Sequence, residues 1–540
     1  MIRVNEIKVP LEATNDDILR KTAESLKIPV SKIKSFAIAK KSLDSRKKDN
    51  LFFVYSVDVT VDGNEDKVLS KCKKANKIQP FVYTVPENKR QSNLRPIVAG
   101  FGPGGMFAAL TLARAGLRPI VLERGQDVET RTKDISSFWS DKKLNTESNV
   151  QFGEGGAGTF SDGKLTTGIK DPLCRQVFLD FVKFGADEDI LYSWLPHIGT
   201  DKLCKIVKNL REEIISLGGE VRFGCKMTDI IAVNGVIHGV TYINQKGETV
   251  DLETDALIAA IGHSARDTVE MLYSHGITMM QKPFSVGARI EHPREFIDKA
   301  QYGSFAGHPA LGAASYKMAC HPQGGRGAYT FCMCPGGTVV AAASEEKSVV
   351  VNGMSYHARD GKNSNSAVLV GVEPEDFGNE HPLAGFDLQQ KIEHTAFIEG
   401  GENYSAPAQL VGDFLKNQKS VSLGNIEPTC PTGVKLGDIR TVLPKKVTDI
   451  MADALVKMGT MLKGFDMPDA VLTAPETRSS SPVRISRDEY YQSVSLRGLY
   501  PCGEGAGYAG GIVSSAVDGM RCANAVLSGE YLNWYTTNKD

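Results

Sequence analysis

Nothing in this sequence reads as a membrane anchor, a zinc ribbon or a disulfide framework. No apolar run approaches the roughly 18 residues needed to span a bilayer, and the opening Met1-Ile2-Arg3-Val4-Asn5-Glu6 does not read as a secretory leader. Net charge is nearly absent: 63 Lys and Arg stand against 64 Asp and Glu, a formal −1 over 540 residues, which argues against wholesale attraction to nucleic acid or anionic lipid. The ten cysteines include no C-x-x-C, and without a secreted context they read as reduced thiols. The expectation is a cytoplasmic protein without a metal site, long enough for roughly two to four domains.

What is present is a fingerprint. Ile97-Val98-Ala99-Gly100-Phe101-Gly102-Pro103-Gly104-Gly105-Met106 is a short apolar strand running through G-x-G-x-x-G into a helix expected over 104–115, with Val121-Leu122-Glu123 after it. Gly100 permits the tight turn, Gly102 lets the backbone approach a pyrophosphate, and Gly105 lets helix and strand pack closely. The helix N-terminus faces the phosphates and Glu123 is placed for ribose hydroxyls. The pattern recurs twice. Gly153-Glu154-Gly155-Gly156-Ala157-Gly158 reads as a loop, and Gly505-Ala506-Gly507-Tyr508-Ala509-Gly510 has too little chain after it for a second nucleotide domain. Neither is followed by a strand carrying a ribose acid, so no dedicated NAD(P) domain is expected.

Residues 1–90 read as β-α-β-β-α-β, the ferredoxin-like order, with strands at 2–9, 33–39, 51–61 and 78–85 and helices at 15–28 and 65–76. Nineteen Lys and Arg against twelve Asp and Glu give this segment +7 and leave −8 for the remainder. No stacking-aromatic signature accompanies the basic runs, so nucleic acid is not the expected partner. Helical spacing resumes at 201–217 and a strand follows at 220–223. Alternating strands at 227–233, 236–243 and 249–252 then precede an apolar strand at 255–261. A β-meander inserted there marks the flavoprotein version of the nucleotide fold. The last piece is a strand through Leu499-Tyr500-Pro501-Cys502-Gly503-Glu504 and a helix at 511–527.

At this point the chain resembles the glutathione-reductase-type FAD superfamily. Gly153 to Thr167 (GEGGAGTFSDGKLTT), Ala260-Ile261-Gly262-His263-Ser264-Ala265-Arg266-Asp267, Phe331-Cys332-Met333-Cys334-Pro335-Gly336-Gly337 and Ser480-Ser481-Pro482-Val483-Arg484 tighten the likeness. Together they are similar to bacterial FAD-dependent dehydrogenases of unassigned substrate that carry an N-terminal ferredoxin-like domain. The resemblance implies an α/β architecture: a ferredoxin-like domain at 1–90, an FAD-binding Rossmann-type domain split between 91–265 and 483–540, and an α+β substrate domain at 266–482. It implies FAD, with Gly503-Glu504 at the ribityl chain, where the pattern usually has Asp for Glu504, and with Gly511-Ile512 opening the helix that faces the flavin. The expected FAD contacts are Gly100, Gly102, Gly104, Gly105, Met106, Glu123, Arg124, Thr159, Asp162, Gly163, Lys164, Met227, Gly262, Gly503, Glu504, Gly511 and Ile512.

Other residues carry competing readings. Arg124 is compatible with a 2′-phosphate site for NADP, but the Glu-Arg pattern favours the FAD ribose with the arginine over the adenine. Ser264 and Asp267 make an S-x-x-D capping box. Cys332-Met333-Cys334 with Cys320-His321 has no second pair at zinc spacing, lacks the C-x-x-C or helix N-terminus that a redox dithiol normally has, and reads as small apolar packing or, by the resemblance, as pocket wall over the flavin. Arg478 is a candidate clamp for an acidic substrate, and 356–366 reads as a mobile loop. The expected activity is hydride transfer between a small molecule and flavin, with NAD(P)H or another donor binding transiently. The alternative is an RNA- or protein-associated flavoprotein whose basic N-terminal domain binds the partner.

Overall fold

The computed structural model describes residues 1–322 and 325–529; residues 530–540 of the expected last segment lie outside the described residues. At the N-terminus four strands pair in the order Ile33–Asp44, Phe52–Val61, Ile2–Val9, Ala75–Lys77. Phe53, Tyr55, Val57, Val59 and Val61 alternate into the core because strand side chains point to opposite faces. Thr14 caps the Asn15–Leu26 helix with a reciprocal Asp17 bond.

The expected second helix at 65–76 is shorter, Glu65–Leu69, and no strand spans 78–85; the edge position falls to Ala75–Lys77. The run Lys71-Cys72-Lys73-Lys74 buries only Cys72 and so offers no apolar stripe to hold a helix. Pro80 removes a ladder donor from the segment beyond.

Five short strands form a parallel sheet in the order Leu499–Pro501, Leu257–Ala259, Ile97–Ala99, Ile120–Leu122, Glu220–Arg222. The Pro103–Arg114 and Ile512–Ser528 helices share a core with it and pack on each other at very close range, since a side chain on Gly519 would begin 2.0 Å from the Gly104 carbonyl oxygen. The meander Lys226–Val233, Val236–Ile243, Thr249–Glu253 is antiparallel. The Arg266–Ser274 helix contributes Val269 and Leu272 to the cluster that holds Met227 and Ile97, so the chain leaves this unit after 266, through Met279–Gln281.

A seven-stranded sheet then runs Ala319–Cys320, Ala328–Cys334, Asn363–Val372, Phe284–Pro293, Val471–Glu476, Ala406–Leu410, Val434–Leu436. The Ala384–Glu399 and Lys445–Met461 helices contribute to its core. The expected loop at 356–366 is cut back to 356–362. Asn363, Ser364, Asn365 and Ser366 are buried in the Asn363–Val372 strand, each opposite a residue of Phe284–Pro293. Their polar side chains concealed the strand, and burial is tolerated because partners such as Arg289 and Glu291 bind them. The chain returns through Val483–Ile485, which pairs antiparallel with Met279–Gln281.

Candidate functional site

The three fingerprint glycines have different reasons to be glycine. Gly100 lies at φ +94°, and a Cβ there would stand 2.4 Å from the Ala260 carbonyl oxygen; a Cβ on Gly105 would stand 2.0 Å from that of Gly100. The fold itself demands both. Gly102 is different: it caps the Pro103–Arg114 helix at φ −78°, ψ −175°, and a Cβ would come no nearer than 3.7 Å to anything among the described residues, its two chain neighbours apart. Any residue adopts that backbone. Its bareness suits a group that is not part of the polypeptide.

The two helices that pack together at Gly104 and Gly519 begin on glycine, Gly102 and Gly511, and neither has a side-chain cap, so their first N–H groups and dipoles are available to an anion. The 153–158 loop sets the two N-termini together. A Cβ on Gly156 would lie 2.9 Å from Gly102 Cα, and one on Gly158 would lie 3.1 Å from Ile512 and 3.7 Å from Pro103. Arg131 holds the loop from behind by donating to the carbonyls of Asn149, Val150 and Glu154 at 2.8, 2.9 and 2.7 Å. Gly262, Gly510 and Gly511 have no neighbour within 4 Å of a hypothetical Cβ, and Gly503 meets only Ser515 at 4.0 Å. Gly104 packs against Cys502, 3.3 Å from a Cβ, and the Met106 amide bonds Gly102.

Glu123 is buried, and its carboxylate accepts the amides of Phe101 at 2.7 Å and of Gly125 and Gly153 at 2.9 Å. Oε2 carries one of these three bonds and keeps a lone pair for a hydroxyl. Arg124 pairs with Glu147 at 2.7 Å and Asp267 at 2.9 Å and lies over Phe152, 4.1 Å from the ring centre. Thr159 is buried; its hydroxyl donates to Glu154 and its carbonyl accepts from Thr200. Asp162 receives Lys164 at 2.7 Å, Ser355 at 2.8 Å and both nitrogens of the Arg359 fork. Burial alone would raise its carboxyl, but the two cations hold it at about 2. Gly163 turns the backbone at φ +66°. Met227 packs in the apolar cluster with Ile97 and Leu122.

Glu504 is partly exposed, 3.7 Å from His263 Nε2. Burial pushes its carboxyl up to about 7 and pushes the His263 imidazole down to about 3, so the histidine is neutral near pH 7. His263 Nδ1 is buried without a protein partner. Residues 166–169, 507–510 and Ser514 line a cavity of about 350 Å³, which puts the third glycine motif opposite the end of the GEGGAGTFSDGKLTT segment.

Three expectations are corrected. Arg478 is no substrate clamp: its guanidinium donates to Glu393 at 3.0 and 2.8 Å, to Ser264 at 3.1 Å and to Ser344 at 2.5 Å. Ser264 and Asp267 form no capping box. Ala265 is the N-cap residue of Arg266–Ser274, without a side-chain cap, because Ser264 is held by Gln151 and Arg478 while Asp267 turns to Arg124 and Lys226. Cys332 and Cys334 are not simple apolar packing, since Lys164 and Arg289 surround their segment.

The sequence reading missed Arg131, Asp518 and Arg487. Asp518 accepts the Gly503 amide at 2.7 Å and is gripped by Arg487 at 2.6 and 2.9 Å, which fixes the terminal segment from below. The lone acidic residue of the Ile512–Ser528 helix, set between Ala516-Val517 and Gly519-Met520, was the available signal. Cys502, Asp518 and Cys522 also bring possible metal-ligand atoms within 4.8 Å of one another. The Arg487 guanidinium already supplies the cation there, 3.7 Å from Cys522 Sγ.

Residues 283–479 match a family model described as FAD-dependent protein, C-terminal domain-like, and residues 1–60 match a domain of unknown function. The protein is an FAD-dependent flavoprotein. The chain belongs to the family of an uncharacterized protein of Clostridium beijerinckii, with which it shares 46% identity over 532 residues, 97% of this chain and 98% of the relative. Among solved structures, a flavoprotein/dehydrogenase from Cytophaga hutchinsonii aligns at 13% identity and TM-score 0.36 over 82% of this chain and 79% of that one. Glycine oxidase from Bacillus cereus aligns at 11% and 0.35 over 81% and 98%. No described helix is long and apolar enough to cross a membrane.

Proposed function

We propose that this protein transfers a hydride between a small-molecule substrate and the N5 position of FAD. The single observation that carries the reading is the meeting, at Gly156 and Gly158, of two glycine-capped helix N-termini beside an unstrained, side-chain-free Gly102. FAD, when bound, supplies the hydride chemistry. The chain's own residues bind and orient it. The Pro103–Arg114 N-terminus would donate to phosphate, Glu123 would accept a hydrogen bond from a ribose hydroxyl, Glu504 would hold the ribityl chain, and the Ile512–Ser528 N-terminus would face the ring. The seven-stranded sheet meets the 153–164 loop where Lys164 donates to the Met333 carbonyl. Support for the three-unit architecture, a ferredoxin-like segment, a split FAD unit and an inserted substrate unit, comes from the sheet orders and the paired crossing strands.

The reading is tested by screening metabolite pools for bleaching of the oxidised flavin or reoxidation of the photoreduced one. Failure of every organic donor and acceptor to change the flavin spectrum would remove it. Pyridine nucleotide is expected to bind transiently. Stopped-flow reduction by NADH or NADPH should therefore rise with concentration without saturating in the low micromolar range, which lies near the tight end of about 1 μM to 1 mM seen for substrates.

Glu504 has two separable effects. Glu504→Ala is expected to weaken FAD binding roughly ten- to a hundredfold, the loss of one charge-assisted hydrogen bond. In the apoprotein the carboxyl sits near 7 rather than at its ordinary 4.5, so its stabilising share is full below the ordinary value and is lost as pH rises through 7. Glu504→Gln should match the parent Tm at about pH 5 and exceed it at about pH 8. A gap that is constant with pH, together with unchanged FAD titration of the alanine variant, would remove Glu504 from the site.

A further inference from the structure

The Cys332-Met333-Cys334 segment is bent in a way that two small packing residues do not need. Cys332 lies at φ +43°, in the left-handed region, and the pairing of Ala328–Cys334 with Asn363–Val372 slips between Phe331 and Cys334. The bulge curls the segment on itself, so that Cys334 Sγ donates to the Cys332 carbonyl at 3.2 Å. Two cations close over it. The buried Arg289, paired with Glu476, donates to the same carbonyl at 2.6 Å and approaches Cys334 Sγ at 3.9 Å. Lys164 donates to the Met333 carbonyl and, at 2.7 Å, to Asp162.

The two sulfurs are unequal. Cys334 is fully buried and Cys332 only half-buried, so Cys332 is the one that a neighbouring group reaches. The neighbouring Cys334 thiol, Lys164 and Arg289 favour the charged form of Cys332 against the cost of burial and hold its thiol below its ordinary range, while Cys334 is pushed up. Lys164 of the 153–164 loop reaches the Met333 carbonyl between the two cysteines, which ties this segment to a cofactor-facing loop. A half-buried thiol with a second thiol two residues away, and two cations at the segment, thus stands where that loop meets the seven-stranded sheet.

We propose that Cys332 and Cys334 are a redox pair that exchanges two electrons with FAD. The inference rests on this cleft holding FAD, as read above. In the oxidising direction the Cys332 thiolate and Cys334 form a new S–S bond and the S–H bond of Cys334 breaks. The electron pair and that proton pass to FAD, which becomes the anionic reduced flavin. One negative charge stands on each side, and the reverse step reopens the disulfide at the expense of the flavin.

The test uses FAD-loaded full-length protein, oxidised with diamide, desalted and titrated anaerobically with dithionite. The expected uptake is about four electrons per flavin, two for FAD and two for the disulfide. The tryptic peptide 327–347 is expected to be lighter by two hydrogens before the titration. Cys332→Ser and Cys334→Ser should remain yellow and each take up about two electrons. On the apoprotein, iodoacetamide at about pH 6 should label Cys332 ahead of the other cysteines, because an ordinary thiol is almost wholly protonated there. A yellow wild-type protein that takes up only two electrons, with both cysteines of the peptide still open to maleimide after diamide, would overturn the proposal. The wild-type peptide mass decides it even if the serine variants fold poorly. A colourless protein would instead overturn the cofactor assignment on which the proposal rests.

Discussion

Gly102→Val is expected to yield a folded, colourless protein. Among the described residues, and its two chain neighbours apart, a side chain here begins at least 3.7 Å from every atom and the backbone is unstrained, so the polypeptide has no objection to it. Its two γ-carbons would instead occupy the path of the pyrophosphate against the helix N-terminus. The loss should exceed roughly a hundredfold in FAD affinity, about 2.7 kcal/mol or more, with the apoprotein Tm nearly unchanged. Gly105→Ala gives the contrasting result, because its Cβ would sit 2.0 Å from the Gly100 carbonyl oxygen and the turn itself must move. FAD titration of each apoprotein beside a thermal melt separates the two cases. A Gly102→Val protein that binds FAD like the parent would mean that the fingerprint has been assigned to the wrong group.

Glu393→Ala is expected to be the most destabilising single change outside the glycine turns. Glu393 is fully buried between Arg266, at 3.0 and 3.1 Å, and Arg478, at 2.8 and 3.0 Å, and also accepts from Thr477 and Ser348. Glu345 balances one guanidinium, at 2.7 Å from Arg266. Removing Glu393 leaves the other cation buried and unpaired, at a cost of about 3 to 5 kcal/mol. Burial opposes its ionisation, but the two arginines hold the carboxyl well below its ordinary 4.5. The contribution is therefore complete above that value and disappears as pH falls through the folded one. Urea denaturation near neutral pH should show a lower midpoint with an unchanged slope. A loss of catalysis by Arg478→Ala with full stability would reverse this view and restore Arg478 to substrate binding.

Much of the architecture was legible because strand and helix periodicities differ. The alternating burial of Phe52–Val61, the meander and the Lys445–Met461 helix are all visible as spacing in the chain. What failed to show was polarity used internally. Asn363 to Ser366 look like a loop until their partners on the neighbouring strand are known. The S-x-x-D match at Ser264 and Asp267 was right in composition and wrong in role, because Arg124 and Lys226, distant in sequence, draw the aspartate away. The same limit hid the character of Cys332, whose neighbouring cations arrive from Lys164 and Arg289. Local sequence identifies a turn or a cap, whereas a charge environment is assembled only by the fold.

The pairing of Met279–Gln281 with Val483–Ile485 has a consequence for how this architecture can change. Gln281 lies opposite Val483, so the roughly two hundred residues between them begin and end one rung apart, close to the limits 283 and 479 of the matched family model. Such a stretch can be exchanged as a cassette by recombination, since the host strands already sit side by side and a new insert need only start and finish at the same two neighbouring points. Such a frame is thereby free to trade the inserted seven-stranded sheet while keeping the rest untouched.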